Sequence, residues 1–157
     1  MVKLKFIFVG KTKESWIIEG IKHYEKMLSN FAELEFQIIK DEKIAPHVSE
    51  EMVLEKEGER VSKYLNKKNF SFVLDHKGKM FSTQELAELF KNKMNQGQNE
   101  FIFVTGGVLG LSQKVVNSAD LKLSLSKMTF PHQLVRLILL EQVYRAFSII
   151  EGRKYHK

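Results

Sequence analysis

The stretch "EFIFVTGGVLGL", residues 100–111, joins an almost continuous apolar run to three glycines that follow it closely. An apolar run of this kind is typical of a strand buried on both faces, in the middle of a parallel sheet. Glycines lack a Cβ atom, so their backbone N–H groups can approach a ligand closely. The stretch therefore predicts a central strand that ends either in a ligand-binding loop or in an ordinary tight turn.

The segments on both sides of this strand alternate between strand and helix patterns. A further short helix is expected just after the glycines. Strands that alternate with helices favour an α/β domain with a mainly parallel sheet and helices on both faces. We expect one such domain over residues 1–157. Strand patterns occur at residues 3–9, 33–39, 70–75, 100–107 and 120–126, and longer helix patterns at residues 14–28, 49–65, 81–94 and 131–150.

Local signals predict where several of these elements begin and end. Ser82 followed by Glu85 is the pattern of a capping box, and Gly97 is placed to end the same helix. The residues "HKGK", 76–79, predict a turn that closes the third strand. Gly58 lies inside a predicted helix, where glycine costs about 1 kcal/mol relative to alanine. This cost favours close packing against a neighbour over a functional role.

The last predicted helix begins at Pro131, a residue favoured at the first helical position. Apolar side chains cover most of its circumference, so it must be buried on two sides. Its own sheet can cover one side, and we expect a second subunit of a homodimer to cover the other. The alternative is a core helix of a larger domain, for which the chain leaves little room. The polar residues form two groups on nearly opposite sides, with Glu141, Arg145 and Ser148 in one and His132 and Arg136 in the other.

Composition excludes several kinds of site. The sequence contains no cysteine, which excludes disulfides, zinc–thiolate centres and thiol nucleophiles. Its five histidines lack metal-binding spacing, so we expect no metal and a cytoplasmic protein. No apolar run has the length of a membrane span, and the opening "MVKLKFIFVG" lacks the features of a signal peptide.

The charge of the chain bears on its partners. Twenty-five Lys and Arg residues against 19 Asp and Glu residues give a formal net charge of +6. This excess makes a polyanion such as nucleic acid a more plausible partner than a cation, although solubility alone also accounts for it.

Two further segments are candidates for binding or catalysis. In "LSLSKMTFPHQLVR", residues 123–136, a strand leads through a short loop to a helix N-terminus, which can bind an anion. Because parallel strands end at one edge of the sheet, this loop and the glycine loop are expected to line one crevice. The glycine spacing, G-G-x-x-G, matches neither the dinucleotide fingerprint nor the P-loop. The closing "GRKYHK", residues 152–157, is either a solvated end or part of a site, since Tyr155 can stack on a base and His156 can transfer a proton.

Taken together, "VTGGVLGLS", "LSLSKMTFPHQLVRLILLEQVYRAFSI" and the closing "YHK" resemble the RlmH (YbeA-like) group of the SPOUT methyltransferases. "FVGKTKESWIIEGIKHYEKML" and "EKEGERV" resemble it as well, so the likeness spans the whole chain. The resemblance implies an α/β fold with a deep trefoil knot in roughly residues 70–157. It also implies a homodimer that uses S-adenosyl-L-methionine to methylate N3 of a pseudouridine in helix 69 of 23S ribosomal RNA, on the assembled 70S ribosome.

The same resemblance implies roles for individual residues. Our own hypothesis, beyond the resemblance, is that His156, or Tyr155 assisted by Arg145, takes up the N3 proton or stabilises the developing negative charge. The identity of the general base and the need for an intact ribosome stay open. It also stays open which subunit supplies residues 152–157 to each site. A non-enzymatic ribosome-binding dimer and a nucleotide-binding α/β enzyme of another class are the alternatives. The implied cofactor-binding residues are Leu74, Gly106, Leu125, Ser126, Lys127, Met128, Thr129 and Phe130, and the implied substrate-side residues are Arg145, Tyr155 and His156.

Overall fold

The alternating patterns correspond to five strands and five helices in the computed structural model, which describes residues 1–154. The strands are β1 (Val2–Val9), β2 (Ala32–Ile39), β3 (Phe70–Met80), β4 (Glu100–Thr105) and β5 (Leu121–Ser124). The helices are α1 (Ser15–Leu28), α2 (Glu50–Ser62), α3 (Thr83–Asn95), α4 (Gln113–Ser118) and α5 (His132–Ile150).

The strands form one sheet in the order β2-β1-β4-β3-β5, and every neighbouring pair is parallel. The strand that carries the opening stretch, β4, lies at the centre, as its continuous apolar run predicts. Because all the strands point the same way, the loops that leave β3, β4 and β5 meet at one edge. The predicted α/β class with a parallel sheet is confirmed.

Each face of the sheet has its own core, since successive side chains of a strand point to opposite sides. On one face Phe103 of β4 stacks between Phe6 and Phe72, with ring centroids 5.1 and 4.8 Å apart. The helices α1, α3 and α5 cover this aromatic face. On the other face Ile7 and Val104 belong to an aliphatic cluster beneath α2 and α4. Helices on both faces, as predicted, bury the sheet between two layers.

The predicted turn at "HKGK" is wrong, because β3 continues beyond it. Pairing with β5 is interrupted after Leu74 and resumes at Lys79, and both residues lie opposite Leu123. Residues 75–78 therefore form a bulge within the strand. A Cβ atom on Gly78 would lie 2.6 Å from the carbonyl carbon and oxygen of Lys122, so only glycine lets the bulge fold this closely onto β5.

The last helix differs from its prediction at its start and in its surroundings. Pro131 has an extended ψ of 140° and is the N-cap, so the helix begins one residue later, at His132. Ser148 is buried and donates a hydrogen bond to the carbonyl oxygen of Tyr144 at 2.9 Å, which satisfies its hydroxyl inside the helix. The helices α1 and α3 pack against α5, so part of its second-side burial comes from the same chain. The homodimer and the knotted path stay predictions.

The local signals elsewhere are confirmed. Ser82 and Glu85 form both hydrogen bonds of the capping box, and Gly97 has a positive φ of 90° after the end of α3. Gly58 packs closely against α4, since a Cβ atom there would lie 2.5 Å from the Ser112 hydroxyl oxygen. Within residues 1–154 no helix combines the length and hydropathy needed to span a membrane.

Candidate functional site

A cavity of about 480 Å³ lies at the carboxyl edge of β3, β4 and β5. The bulge of β3, the glycine loop after β4 and the loop between β5 and α5 form its walls, and the first turn of α5 closes one side. The predicted convergence of the two candidate loops on one crevice is thus observed. Its lining residues are Leu74, Asp75 and His76, Thr105 to Gly110, Leu123 to Ser126, and Met128 to His132 with Val135.

Most of the residues that the resemblance assigns to the cofactor line this one cavity. Leu74 comes from β3, Gly106 from the glycine loop, and Leu125, Ser126, Met128, Thr129 and Phe130 from the loop before α5. Lys127 belongs to the same loop but is not among the lining residues. The structure brings these positions together, and their role in cofactor binding stays a prediction.

The glycine loop is a tight turn and a cavity wall at the same time. The Gly110 N–H donates to the Gly107 carbonyl oxygen at 3.1 Å, and Gly110 has a positive φ of 80°. A Cβ atom on Gly106 would lie 2.5 Å from the backbone of Gly110, so a side chain there would force the turn open. Beneath it, the Thr105 hydroxyl is buried without a hydrogen-bond partner within residues 1–154. Buried polar groups are usually hydrogen-bonded, so this hydroxyl beside the cavity is a candidate for a contact with a bound ligand or water.

The loop between β5 and α5 is held in shape by its own serines. The Ser126 hydroxyl oxygen accepts a hydrogen bond from the Met128 N–H at 3.0 Å, and the Ser124 hydroxyl donates to the Ser126 carbonyl at 3.0 Å. Such local bonds reduce the conformational entropy that the loop would lose on binding a ligand. Met128 is 75% exposed, which leaves a flexible apolar side chain at the cavity mouth.

The first turn of α5 contributes His132, a residue that the sequence assigned to no site. Burial lowers the pKa of His132, and the nearby charges of Arg136 and Lys13 lower it further while Asp41 acts in the opposite direction. The side chain is therefore held towards its neutral form beside the cavity. His132 follows the loop between a predicted strand and a predicted helix, and this position at the carboxyl edge of the sheet was the sequence signal that could have identified it.

Arg136 lies one turn further along α5 and is completely buried. Its guanidinium donates to the Val9 carbonyl oxygen at 2.7 Å and to the Thr12 hydroxyl at 2.9 Å, and it lies 4.9 Å from the centre of the Phe8 ring. Burial lowers the pKa of Arg136 to about 10. Arg136 therefore links the end of β1 to the helix that closes the cavity. From the sequence alone, a single cation in an apolar helix does not indicate such a contact.

The bulge of β3 contributes Asp75 and His76, which the sequence had placed at the end of the strand and in the turn after it. The Asp75 carboxylate accepts a hydrogen bond from the Lys77 N–H at 3.2 Å and lies 3.5 Å from Nδ1 of His76. Both residues line the cavity because the bulge turns back at the carboxyl edge. The same edge that identified the other two loops could have identified this one.

The predicted substrate-side residues are not gathered in the cavity. Arg145 is half-buried on α5, and its Nε donates to the Glu141 carboxylate at 2.9 Å, which forms an i, i+4 pair within the polar group predicted from the sequence. It is not among the residues that line the cavity. Tyr155 and His156 lie outside the described residues. No group of three or more potential metal ligands occurs within residues 1–154.

An open parallel sheet with a cavity at its carboxyl edge defines a ligand-binding protein of the α/β class. A family model described as "Predicted SPOUT methyltransferase" matches residues 2–156. The chain belongs to the SPOUT methyltransferase family. The resemblance, the fold class and the assignment as a methyltransferase made from the sequence are thereby confirmed.

Full-length relatives agree with this assignment. A protein of Halothermothrix orenii named "Ribosomal RNA large subunit methyltransferase H" is 47% identical, with 99% of this chain and 100% of the relative covered. Proteins of the same name from Carboxydothermus hydrogenoformans and Bacillus pumilus are 45% and 43% identical at the same coverage. A probable methylase family protein of Haemophilus influenzae superposes with a TM-score of 0.51 at 11% identity, over 99% of this chain and 70% of the other. That last likeness concerns the fold alone.

Proposed function

We propose that this protein methylates N3 of a pseudouridine in helix 69 of 23S ribosomal RNA, with S-adenosyl-L-methionine as methyl donor and the assembled 70S ribosome as substrate. The observation that carries the proposal is the cavity in which the glycine loop and the loop before α5 meet. The full-length likeness to proteins named as large-subunit ribosomal RNA methyltransferases supports the choice of substrate. A ribosomal substrate implies a cytoplasmic enzyme.

The residues of the cavity fit a cofactor of this kind. Its volume of about 480 Å³ lies within the range of small-molecule sites, about 300 to 1,000 Å³. Leu74 and Phe130 offer apolar surface, and the backbone groups of Gly106 and of residues 125–129 offer hydrogen bonds. The unsatisfied Thr105 hydroxyl offers one more polar contact. Together these groups would hold and orient the donor.

The chemistry requires alignment above all. When bound, the sulfonium of S-adenosyl-L-methionine supplies an electrophilic methyl group. The protein must hold the acceptor nitrogen in line with it and exclude water from the cavity. N3 of the pseudouridine also carries a proton that must leave. In our proposal His156, or Tyr155 assisted by Arg145, accepts this proton or stabilises the negative charge that develops on the ring.

A homodimer accounts for the position of Arg145. It follows Val135, which lines the cavity, by ten residues of α5, or about 15 Å along the helix axis. Because of that distance, we propose that Arg145 and residues 152–157 contribute to the cavity of a second subunit. The outer face of α5, where Ile149 is 37% exposed, is the surface that the second subunit would cover.

The proposal is tested with purified protein, labelled S-adenosyl-L-methionine and ribosomes that lack the modification. Mass spectrometry of the digested RNA should show one added methyl on a pseudouridine, and parallel reactions with 50S subunits and free 23S RNA identify the minimal substrate. Absence of methyl transfer to all three substrates would contradict the proposal. Calorimetry is the companion measurement: binding of ATP in place of S-adenosyl-L-methionine would favour an enzyme of another class.

The proton-transfer role is tested separately with His156→Ala. Single-turnover methyl transfer at saturating cofactor should slow by about 10² to 10⁴, the usual contribution of a general acid or base. Cofactor affinity serves as the control and should not change. An unchanged rate would remove His156 from the mechanism and leave the methyltransferase activity in place.

A further inference from the structure

The bulge of β3 brings exposed lysines to the rim of the cavity. Lys77 and Lys79 are exposed and follow directly on Asp75 and His76, which line the cavity. Lys79 pairs with Leu123, and Lys122 precedes Leu123 on β5. The two lysines are therefore neighbours at this side of the sheet, with side chains that leave its opposite faces. Lys127 is exposed in the loop between β5 and α5, between two residues that line the cavity. We refer to Lys77, Lys79, Lys122 and Lys127 as the basic rim.

Neighbouring carboxylates do not neutralise the basic rim. None of its four lysines forms an ion pair within residues 1–154. Asp75 accepts a hydrogen bond from the Lys77 backbone N–H. Asp120 is engaged by the N–H and hydroxyl of Ser71 at 2.8 and 3.0 Å. Exposed cations without carboxylate partners attract a polyanion such as nucleic acid.

Contacts of the bulge with β5 and with neighbouring side chains position these lysines. Gly78 lies against the Lys122 backbone, which brings Lys77 and Lys79 beside β5. The Lys122 ammonium donates to the Asn117 side-chain oxygen at 3.2 Å, and the Lys79 ammonium lies 4.8 Å from the centre of the Phe81 ring. Both ammonium groups thus have neutral partners that orient them without cancelling their charge. Strand β5 is also the edge of the sheet, so nothing beyond it in the sheet blocks access.

We propose that the basic rim binds the phosphate backbone of the ribosomal RNA strand whose base enters the cavity. This inference rests on the proposed function and specifies where the RNA lies relative to the cofactor. Backbone contacts of this kind fix the register of a nucleic acid without reading its sequence. The rim flanks the cavity on the side of β3 and β5, so the strand is expected to run along this edge as it presents its base.

The test compares two threefold variants of equal net charge. The rim variant is K77A/K79A/K122A, which leaves Lys127 unchanged because its loop belongs to the proposed cofactor site. The control is K22A/K67A/K91A, whose three lysines are exposed and do not line the cavity. Each variant lowers the formal net charge from +6 to +3. Methyl transfer to ribosomes should show a KM at least tenfold higher for the rim variant than for the control, with kcat and cofactor affinity within about twofold of wild type.

Salt dependence gives a second readout that a merely structural effect would not change. Each lost phosphate contact should reduce the slope of log(kcat/KM) against log salt by about 0.7 for single-stranded RNA. Equal KM values and equal slopes in the two variants would overturn the inference. Thermal unfolding should be the same for wild type and both variants, because all the substituted side chains are exposed.

Direct binding separates this inference from the proposed function. Anisotropy of a labelled RNA hairpin with a single-stranded loop measures the rim contact even if wild-type protein transfers no methyl to any ribosomal substrate. Weaker hairpin binding by the rim variant alone would then support the inference while the proposed function fails. Loss of self-association in the rim variant with unchanged hairpin binding would instead identify the rim as a contact between two copies of this chain, and would overturn it.

Discussion

Two concave surfaces formed by residues 1–154 differ in position, size and charge. The cavity of about 480 Å³ lies where the loops of three parallel strands end, whereas a groove of about 810 Å³ lies between α2 and α4. The groove is formed by exposed sides of helices and includes Glu50, Glu51, Glu55 and Glu59. The cavity instead offers backbone groups of two loops and an unsatisfied hydroxyl. Convergent polar groups at the edge of a parallel sheet, more than volume, favour the cavity as the candidate ligand site.

The carboxylates of the groove have a structural explanation. Glu50 and Glu51 occupy the first turn of α2, where negative charge is stabilised by the helix dipole. A surface with four carboxylates repels RNA, while the basic rim beside the cavity attracts it. The groove is thus acidic and the rim of the cavity is basic. Matched substitutions at the two surfaces can compare their effects on stability and on cofactor binding.

The largest expected effect distinguishes the arginines on the two sides. Arg136→Met should lower the free energy of unfolding by about 2 to 3 kcal/mol, because the Val9 carbonyl and the Thr12 hydroxyl lose a buried donor. Arg60→Met, on the groove side, removes a partly exposed pair with Glu42 and a hydrogen bond to the Lys40 carbonyl oxygen, and should cost less than Arg136→Met. Urea unfolding measures both. Equal losses would show that Arg136 does not support the cavity edge in the way its contacts indicate.

A matched pair of glycines gives the next effect. Gly106→Ala should weaken cofactor binding at least tenfold, or about 1.4 kcal/mol, because the new Cβ atom collides with the backbone of Gly110. Gly58→Ala meets mainly the movable hydroxyl of Ser112, so cofactor affinity should not change. Calorimetry with S-adenosyl-L-methionine measures both variants. Equal affinities would remove the glycine loop from the binding site.

A smaller effect concerns Glu57, a buried carboxylate on the aliphatic side of α2 that accepts a hydrogen bond from the Glu42 N–H at 2.9 Å. Burial raises the pKa of Glu57 above its usual value, so folding favours the protonated form. The stability that this group provides at low pH is lost as the pH rises from about 4.5 through the raised pKa. Glu57→Gln should therefore become more stable relative to wild type between pH 4.5 and pH 7. A difference that does not change with pH over this interval in urea unfolding would contradict the assignment.

The smallest effect concerns His132 at the cavity. Its pKa is lowered, so it stays neutral until the pH falls below its usual value of 6.5. Protonation would then add a positive charge beside a cofactor that is itself cationic, with Lys13 and Arg136 adding to the repulsion and Asp41 opposing it. Cofactor affinity of wild type should fall a few-fold between pH 7 and pH 5, and that of His132→Asn should not fall. Parallel pH profiles would show that His132 does not face the bound cofactor.

Much of the fold could be predicted because its signals are local. The capping box at Ser82 depends on residues three apart, and the strand patterns depend on alternation along a few residues. The bulge could not be predicted in this way. Its shape depends on the contact of Gly78 with Lys122, which lies on another strand. A local pattern therefore indicated a turn where the sheet resumes pairing.

In the candidate site, too, some residues were recognised from local patterns and others were not. The two loops were recognised from glycines and from a strand–helix junction, and parallel strands necessarily bring such loops to one edge. Asp75 and His76 line the cavity because of the bulge of β3, whose shape depends on pairing with β5. His132 lines it because it lies in the first turn of α5, after the loop that leaves β5. The assignments of Tyr155 and His156 came from resemblance alone and stay predictions.

The sequence by itself determined the alternation of strands and helices, the central place of β4, and the family to which the chain belongs. These properties follow from residue spacing and from motifs that persist along the whole chain. Only the tertiary structure decided the order β2-β1-β4-β3-β5, the burial of Arg136 against β1 and the basic rim beside the cavity. The physical reason is that each of these depends on contacts between residues far apart in the chain, whose energies no local pattern contains.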